Sequence, residues 1–205
     1  MKTIYKSKLK KLAASLLAIC FVLSSCQLQS DHDYVSETID PHVDMTAWEF
    51  INSRPDVFSR LVEVLEYTGL DRYYKQTEVE YTFLTLNNAG IKAYNDNVET
   101  GKKLEDWDKV ALTKMLKYHI VEGNYNSYEF LPVEPIFVVN LLRGEEKGLM
   151  TMMVRKSPWQ QNVGKIVINE EGSNGTSPTR QSVTTNIMPT NGVIHVFENY
   201  CFYKQ

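Results

Sequence analysis

The spacing of apolar residues changes from helical to strand-like near Gly123, and this change constrains the fold more than any other feature of the sequence. Before it, Leu104–His119 places apolar side chains at offsets of 3, 7, 8, 11 and 12 from Leu104, which form one stripe on a helix. After it come five apolar runs with the length of strands: Ile136–Leu142, Leu149–Val154, Val163–Ile168, Val183–Met188 and Val193–Tyr203. Because helices precede strands rather than alternate with them, the sequence predicts an α+β fold with antiparallel-type strands.

Local signals predict further elements upstream of the long helix. Thr46 is a suitable N-cap for a short helix, and Pro55 opens a second helix that stops at Gly69. The predicted elements of this region are helix Ala47–Asn52, the helix that starts at Pro55, strand Val79–Leu86 and helix Asn88–Asn95.

A hairpin is predicted near the end of the chain. Pro189–Gly192 joins the last two predicted strands, and its Asn-Gly pair favours the positive φ angles of a tight turn. The last two strands are therefore expected to be antiparallel neighbours.

The first 25 residues have the pattern of an export signal. They contain five lysines, no acidic residue and the apolar run Leu12–Leu23. A run of twelve residues is shorter than the roughly 17–25 needed to span a bilayer as a helix, so it indicates a signal-peptide core.

The segment after this core, Leu23-Ser24-Ser25-Cys26, resembles the lipobox of bacterial lipoprotein precursors. The resemblance implies cleavage before Cys26 and acylation, with palmitate-type chains, of its sulfur and its new amino group. Several acyl chains hold a protein firmly on a membrane, since each buried methylene contributes about 0.8 kcal/mol. Gln27 after the cysteine fits the outer membrane of a Gram-negative bacterium, and Ser30–Asp33 resembles the tethers of surface-exposed lipoproteins. The alternative is an ordinary secretory signal with a coincidental cysteine.

These boundaries predict a signal peptide (1–25), a flexible polar tether (26–45) and one folded domain (46–205). Removing residues 1–25 takes away five of the 22 basic side chains and none of the 25 acidic ones, so the formal charge changes from −3 to −8. Binding to a nucleic acid backbone requires concentrated positive charge, which this chain lacks. Nucleic acid is therefore excluded as an expected partner.

Several stretches, in matching order and spacing, resemble the fasciclin-like domain. They are Leu116–Gly123 (L-x-Y-H-x-V-x-G), Asn191–Val196 (N-G-V-I-H-V), Tyr81–Ala89 (Y-T-V-F-A-P-T-N-x-A) and the helix Leu61–Leu70 with its Gly-Leu ending. Leu86 departs from the family by replacing its usual proline, and Phe197-Glu198 replaces an aliphatic residue and aspartate. The resemblance implies a wedge-like β fold flanked by helices, a role in extracellular adhesion or matrix interaction, and no intrinsic catalysis.

The motif residues of interest are Tyr118, His119, Asn191, Gly192 and His195. In animal members of the family the Tyr-His region is implicated in receptor binding. In this chain His119 lies on the apolar stripe of the predicted helix, and His195 alternates with apolar residues on a predicted strand. We therefore expect these residues to be mostly structural. Two histidines without further ligands do not make a closed zinc site, so neither a metal nor a cofactor is predicted.

Three aromatic residues in polar surroundings, Tyr125, Tyr128 and Trp159, are candidates for ligand binding, and packing beneath loops is the alternative. Cys201 is the remaining cysteine of the mature chain and lies in an aromatic run. That setting predicts a buried, unreactive thiol.

The predicted function is that of a membrane-anchored, non-catalytic lipoprotein that mediates cell-surface adhesion or protein–protein contact. No nucleophile elbow, phosphate-binding loop or dinucleotide motif is present, so an enzyme is not expected. The alternative is an accessory glycan-binding component of an outer-membrane nutrient-uptake complex, with the three aromatic residues as stacking platforms. The expected partners are therefore a membrane, through the lipid, and a surface protein or glycan.

Overall fold

The computed structural model describes residues 40–143, 148–157, 160–173 and 177–201. Its α-helices are α1 (Ala47–Ser53), α2 (Pro55–Thr68), α3 (Asp71–Lys75), α4 (Asn88–Tyr94) and α5 (Lys109–Tyr118). A π-helical turn (Asn95–Glu99) continues directly from α4, and a 3₁₀ turn (Leu104–Asp106) precedes α5. Its strands are β1 (Tyr81–Leu86), β2 (Ile120–Glu122), β3 (Ile136–Val138), β4 (Met150–Ser157), β5 (Gln160–Ile168), β6 (Arg180–Gln181), β7 (Thr184–Ile187) and β8 (Gly192–Phe197).

The ends of the first two helices follow the local signals in the sequence. Thr46 and Glu49 form a capping box, in which the Thr46 hydroxyl accepts from the Glu49 amide and the Glu49 carboxylate accepts from the Thr46 amide. Pro55 occupies the first position of α2, where no amide partner is needed. Gly69 ends α2 with a φ of 72°. The predicted cap, helix start and helix stop are all confirmed.

The long helix begins later than predicted. Asp108 caps α5, and its carboxylate accepts hydrogen bonds from the amides of Val110 (2.9 Å) and Ala111 (3.1 Å). Upstream of this cap, Leu104 begins a separate 3₁₀ turn and Trp107 is extended. The prediction of a continuous helix from Leu104 is wrong in its first turn, because an aspartate that caps the backbone favours a helix start at its own position.

Two four-stranded sheets form the β part of the fold, with strand orders β2-β1-β8-β7 and β3-β4-β5-β6. β1 pairs in parallel with β8, from Tyr81 opposite Gly192 to Leu86 opposite Phe197. The other strand pairs named in these two orders are antiparallel, including β7 with β8. The expected α+β fold with antiparallel-rich sheets is therefore confirmed, and the parallel pair is a feature that the sequence pattern did not predict.

The two sheets are joined at both edges by backbone hydrogen bonds. After β3, Val139 accepts from the Glu122 amide of β2 at 2.8 Å. Between β6 and β7, the Ser182 amide donates to Ile166 of β5, and the Val183 amide donates to Val196 of β8. Strands that pass from one sheet to the other leave fewer free edges for unwanted pairing.

The folded unit starts before the predicted domain boundary. The described residues from Asp40 onward form one compact unit, and residues 41–45 bond to the β7–β8 connection. The Val43 amide donates to Met188 (2.9 Å), the Met188 amide donates to Pro41 (2.8 Å), and the Thr190 amide donates to Met45 (2.9 Å). The flexible character predicted for residues 26–45 therefore does not extend to 41–45, because these backbone groups have partners.

The apolar face of α2 covers the first sheet. Its side chains Phe58, Leu61 and Leu65 are buried, and the helix contacts β1, α4 and α5. Tyr74 of α3 stacks on Phe83 of β1, with ring centroids 4.2 Å apart. Within the described ranges, no helix has the length and hydropathy that a bilayer-spanning helix needs.

Candidate functional site

His119 caps the C-terminal end of α5 and is buried. Its Nδ1 donates to the Met115 carbonyl (2.8 Å), and its Nε2 accepts from the Cys201 amide (3.0 Å). Burial lowers the pKa of His119 to about 4, so the ring is neutral near pH 7. Because both nitrogens are occupied, the ring has no free lone pair for a metal or a substrate.

Tyr118 is fully buried and connects α5 to the second sheet. Its hydroxyl donates to the Leu149 carbonyl (2.7 Å) and accepts from the Asn169 side-chain amide (3.0 Å). Asn169 has a φ of 52°, and its side-chain oxygen accepts from the Thr151 amide (3.2 Å). Burial raises the pKa of Tyr118 to about 12. The Tyr-His pair thus fastens the helix to β4 and to the loop after β5, and it presents no surface of its own.

Cys201 belongs to the same buried cluster. Its Sγ donates to the Pro178 carbonyl (3.3 Å), and burial raises the pKa of the thiol to about 12. A thiol with so little thiolate at neutral pH is a poor nucleophile.

The side chain of Asn191, directly before β8, connects that strand to the start of α1 and to the end of α3. Its side-chain oxygen accepts from the Ala47 amide at the start of α1 (2.8 Å), and its amide donates to the carbonyls of Tyr74 and Gln76 (both 2.8 Å). Gly192 follows with a φ of 149°, and a Cβ there would lie 1.9 Å from the Tyr81 carbonyl oxygen. The Asn-Gly pair therefore serves long-range packing, and only Gly192 of the two has a positive φ.

His195 lies in β8 with no exposed surface. Its Nδ1 accepts from the Asn186 amide (3.2 Å), and its Nε2 donates to the Tyr125 carbonyl (3.0 Å). The Asn186 side-chain oxygen in turn accepts from the Ser127 amide (3.0 Å). Burial lowers the pKa of His195 to about 4. Like His119, this ring has both nitrogens occupied and holds a loop in place.

The accessible surface of the domain has a different feature, which we call the exposed apolar segment, residues 128–139. Ten large apolar side chains are notably exposed among the described residues, and five of them lie within these twelve positions. These five are Tyr128, Phe130, Val133, Phe137 and Val139. Such a concentration differs from the scattered single apolar side chains of an ordinary surface, so this segment is a candidate interaction site.

A scan against protein-family models matches the fasciclin domain over residues 56–200. The chain belongs to the fasciclin family. Among solved structures, this fasciclin chain is similar to a FAS1 domain pair from the insect cell adhesion molecule Fasciclin I. That match has 17% sequence identity and a TM-score of 0.47, and it covers 69% of this chain and 44% of the other, so this chain spans less than half of that structure's length. No curated protein matches the sequence.

The aromatic candidates occupy different environments in this fasciclin domain. Tyr125 is half-buried against the core, and its amide donates to the Thr82 hydroxyl (2.9 Å). Tyr128 is 54% exposed and begins the exposed apolar segment. Trp159 and Cys26 lie outside the described residues. Within those residues the structure does not bring Tyr125 and Tyr128 together as one exposed platform, since the Tyr125 ring faces inward.

Sequence reasoning missed the exposed apolar segment. The run Ile136–Leu142 predicted a strand without indicating which side chains would be exposed; the observed strand ends at Val138, and Phe137 is 65% exposed. Pro132 and Pro135 just before the run were the available signal, because proline in a strand region favours an edge position. In the described parts of the chain, no group of three or more His, Cys, Asp or Glu residues is arranged to hold a metal ion.

Proposed function

We propose that this fasciclin-family chain is a non-catalytic protein-interaction module, active in adhesion at a cell surface and held there by lipid on Cys26. The observation that carries the interaction role is the exposed apolar segment, which holds five of the ten large apolar side chains that are notably exposed among the described residues. The observation that carries the anchor is the position of Leu23-Ser24-Ser25-Cys26 directly after a basic and apolar export signal.

The state of the motif residues supports a non-catalytic role. General acid–base catalysis needs a side chain with a pKa near neutrality and access to a substrate. His119 and His195 are buried, with pKa values near 4, and their ring nitrogens are engaged with backbone groups. Cys201 is buried with a pKa near 12. These groups stabilise the fold, and the function is assigned to the surface.

The anchor is tested by metabolic labelling of the full chain with an alkyne analogue of palmitate in a Gram-negative host. We expect the wild-type chain to incorporate the label and to partition into the detergent phase of Triton X-114. Cys26→Ala should abolish both, whereas the matched control Cys20→Ala, inside the signal core, should retain both. Labelling that survives Cys26→Ala would show that the anchor is assigned to the wrong residue.

The location and the adhesive role are tested separately. Outer-membrane delivery predicts that the protein co-fractionates with outer-membrane markers on a sucrose gradient, and surface exposure predicts that added protease removes it from intact cells. Adhesion predicts that cells with the wild-type chain bind beads coated with extracellular matrix or surface proteins more strongly than cells with Cys26→Ala. Equal binding by the two strains, together with binding on a glycan array, would replace adhesion by the glycan-uptake role.

A further inference from the structure

Backbone hydrogen bonds hold the exposed apolar segment at its start, in its middle and near its end. At its start, the Asn126 side-chain oxygen accepts from the amides of Tyr128 (3.0 Å) and Glu129 (2.9 Å). In the middle, the Pro132 carbonyl accepts from the Val154 amide of β4 (2.9 Å). Further along, β3 pairs with β4 and Val139 bonds to β2. A surface fixed in this way loses little conformational entropy when a partner binds.

A partner of this segment would contact its side chains rather than pair with its backbone as an added strand. Phe137 lies in β3 and Val139 directly follows the end of that strand; both side chains are exposed, whereas Val138 between them is buried, so the two lie on the same side of the chain. Leu149 is also exposed and lies close to the end of β3, because it directly precedes Met150, which pairs with Val138. Pro132 lacks an amide hydrogen, as does Pro135, so the segment cannot offer a continuous row of donors to an added strand.

The charge on the segment is negative. Glu129 and Glu134 are exposed between the apolar side chains, and neither is ion-paired with another described residue. Residues 118–142 contain no lysine or arginine, and Arg143 at the end of this stretch is paired with Glu122 at 2.5 Å. An apolar surface with two free carboxylates favours a partner that carries lysine or arginine beside its own apolar residues.

The two carboxylates disfavour two other partners for this segment, namely a second copy of the chain and an anionic membrane. A second copy would bring the same two carboxylates to a symmetric interface, and without residues 1–25 each copy carries a formal charge of −8. An anionic membrane surface would repel Glu129 and Glu134 in the same way. We infer that residues 128–139 are the docking site for a different protein, which presents a basic and apolar surface. This inference rests on the proposed interaction role and specifies where and with what chemistry it operates.

The test is site-specific photo-cross-linking of the full chain in its native cells, with benzoylphenylalanine in place of Phe137. The matched control carries the same probe in place of Val110, a side chain of α5 that is 67% exposed. The expected result is a covalent adduct with another protein from position 137 alone, with lysine or arginine and apolar residues in the cross-linked peptide. Glu129→Lys combined with Glu134→Lys should reduce the adduct at least about tenfold, because two attractions become repulsions.

The folding of each variant is checked by its urea midpoint, which should not change because Glu129 and Glu134 are exposed. An adduct with a second copy or with lipid would overturn the inference, as would an adduct that survives both charge reversals. A protein adduct from position 110 with none from 137 would overturn the docking site but leave the interaction role intact. If neither position gave a protein adduct, both the docking site and the proposed interaction role would be overturned.

Discussion

Acid should unfold this domain through two buried histidines. His119 and His195 are neutral in the folded protein, with pKa values near 4 in place of 6.5. In the unfolded chain both rings are exposed and take up protons below about pH 6.5. The unfolded state therefore binds more protons than the folded state between about pH 6.5 and pH 4, and stability falls as the pH falls through this range.

The size of the effect follows from the two pKa values. One pKa unit corresponds to about 1.4 kcal/mol, and about pH 5 lies roughly 1.5 units below the unfolded pKa and one unit above the folded pKa. Each histidine should then cost about 2 kcal/mol at about pH 5 relative to neutral pH, or about 4 kcal/mol for both. This is a large share of the roughly 5–15 kcal/mol that stabilises a typical domain.

Urea unfolding, followed by tryptophan fluorescence at several pH values, measures this loss. With an m-value of about 2 kcal/mol per molar urea, the midpoint should fall by about 2 M between about pH 7.5 and pH 5. His195→Gln should lower the midpoint at neutral pH but remove about half of the pH dependence. The matched control is His42→Gln, a substitution at a histidine whose side chain is 69% exposed.

Two results would refute this reasoning. One is a free energy of unfolding at about pH 5 within about 1 kcal/mol of the neutral value, which would mean that the buried rings accept protons at no cost. The other is a pH dependence that His195→Gln leaves at full size. Ordinary carboxylates do not confound the comparison, because they titrate mostly below about pH 5.

Three further predictions concern the motif residues and the thiol. Gly192→Ala should lower the free energy of unfolding by at least about 3 kcal/mol, because the new Cβ would clash with the Tyr81 carbonyl. Gly101→Ala is the matched control: Gly101 also has a positive φ but has open space around it, so this substitution should cost only about 1 kcal/mol. Equal urea midpoints for these two variants would contradict the assigned clash. Asn191→Ala should cost about 2–4 kcal/mol in urea unfolding through three lost hydrogen bonds, and a loss below about 1 kcal/mol would show that these bonds contribute little. Cys201 should react with a thiol reagent only as fast as the protein unfolds, and rapid modification of the native protein would show that the thiol is accessible.

Several parts of the structure followed from short stretches of sequence. Thr46, Pro55 and Gly69 set the ends of α1 and α2, because a cap, a fixed φ and a positive φ each act within one turn of backbone. The α+β order followed from the change in apolar period, and family membership followed from motifs whose residues are close in sequence. The formal charge of −3, which becomes −8 without residues 1–25, is likewise a property of the sequence, and it argued against a nucleic acid partner.

Other features depended on contacts between residues that are far apart in the chain. An apolar strand pattern does not distinguish parallel from antiparallel pairing, so the parallel alignment of Tyr81 with Gly192 was decided by packing. Asn191 looked like a turn residue, but its side chain bonds to Ala47 and to the end of α3, more than a hundred positions away. The exposure of Phe137 was also hidden, because a continuous apolar run is compatible with a buried strand and with an edge. The sequence by itself thus determined the fold class. The tertiary structure decided that the motif residues are buried and that residues 128–139 form the exposed apolar surface. The reason is that burial depends on which elements cover a segment and not on the segment's own composition.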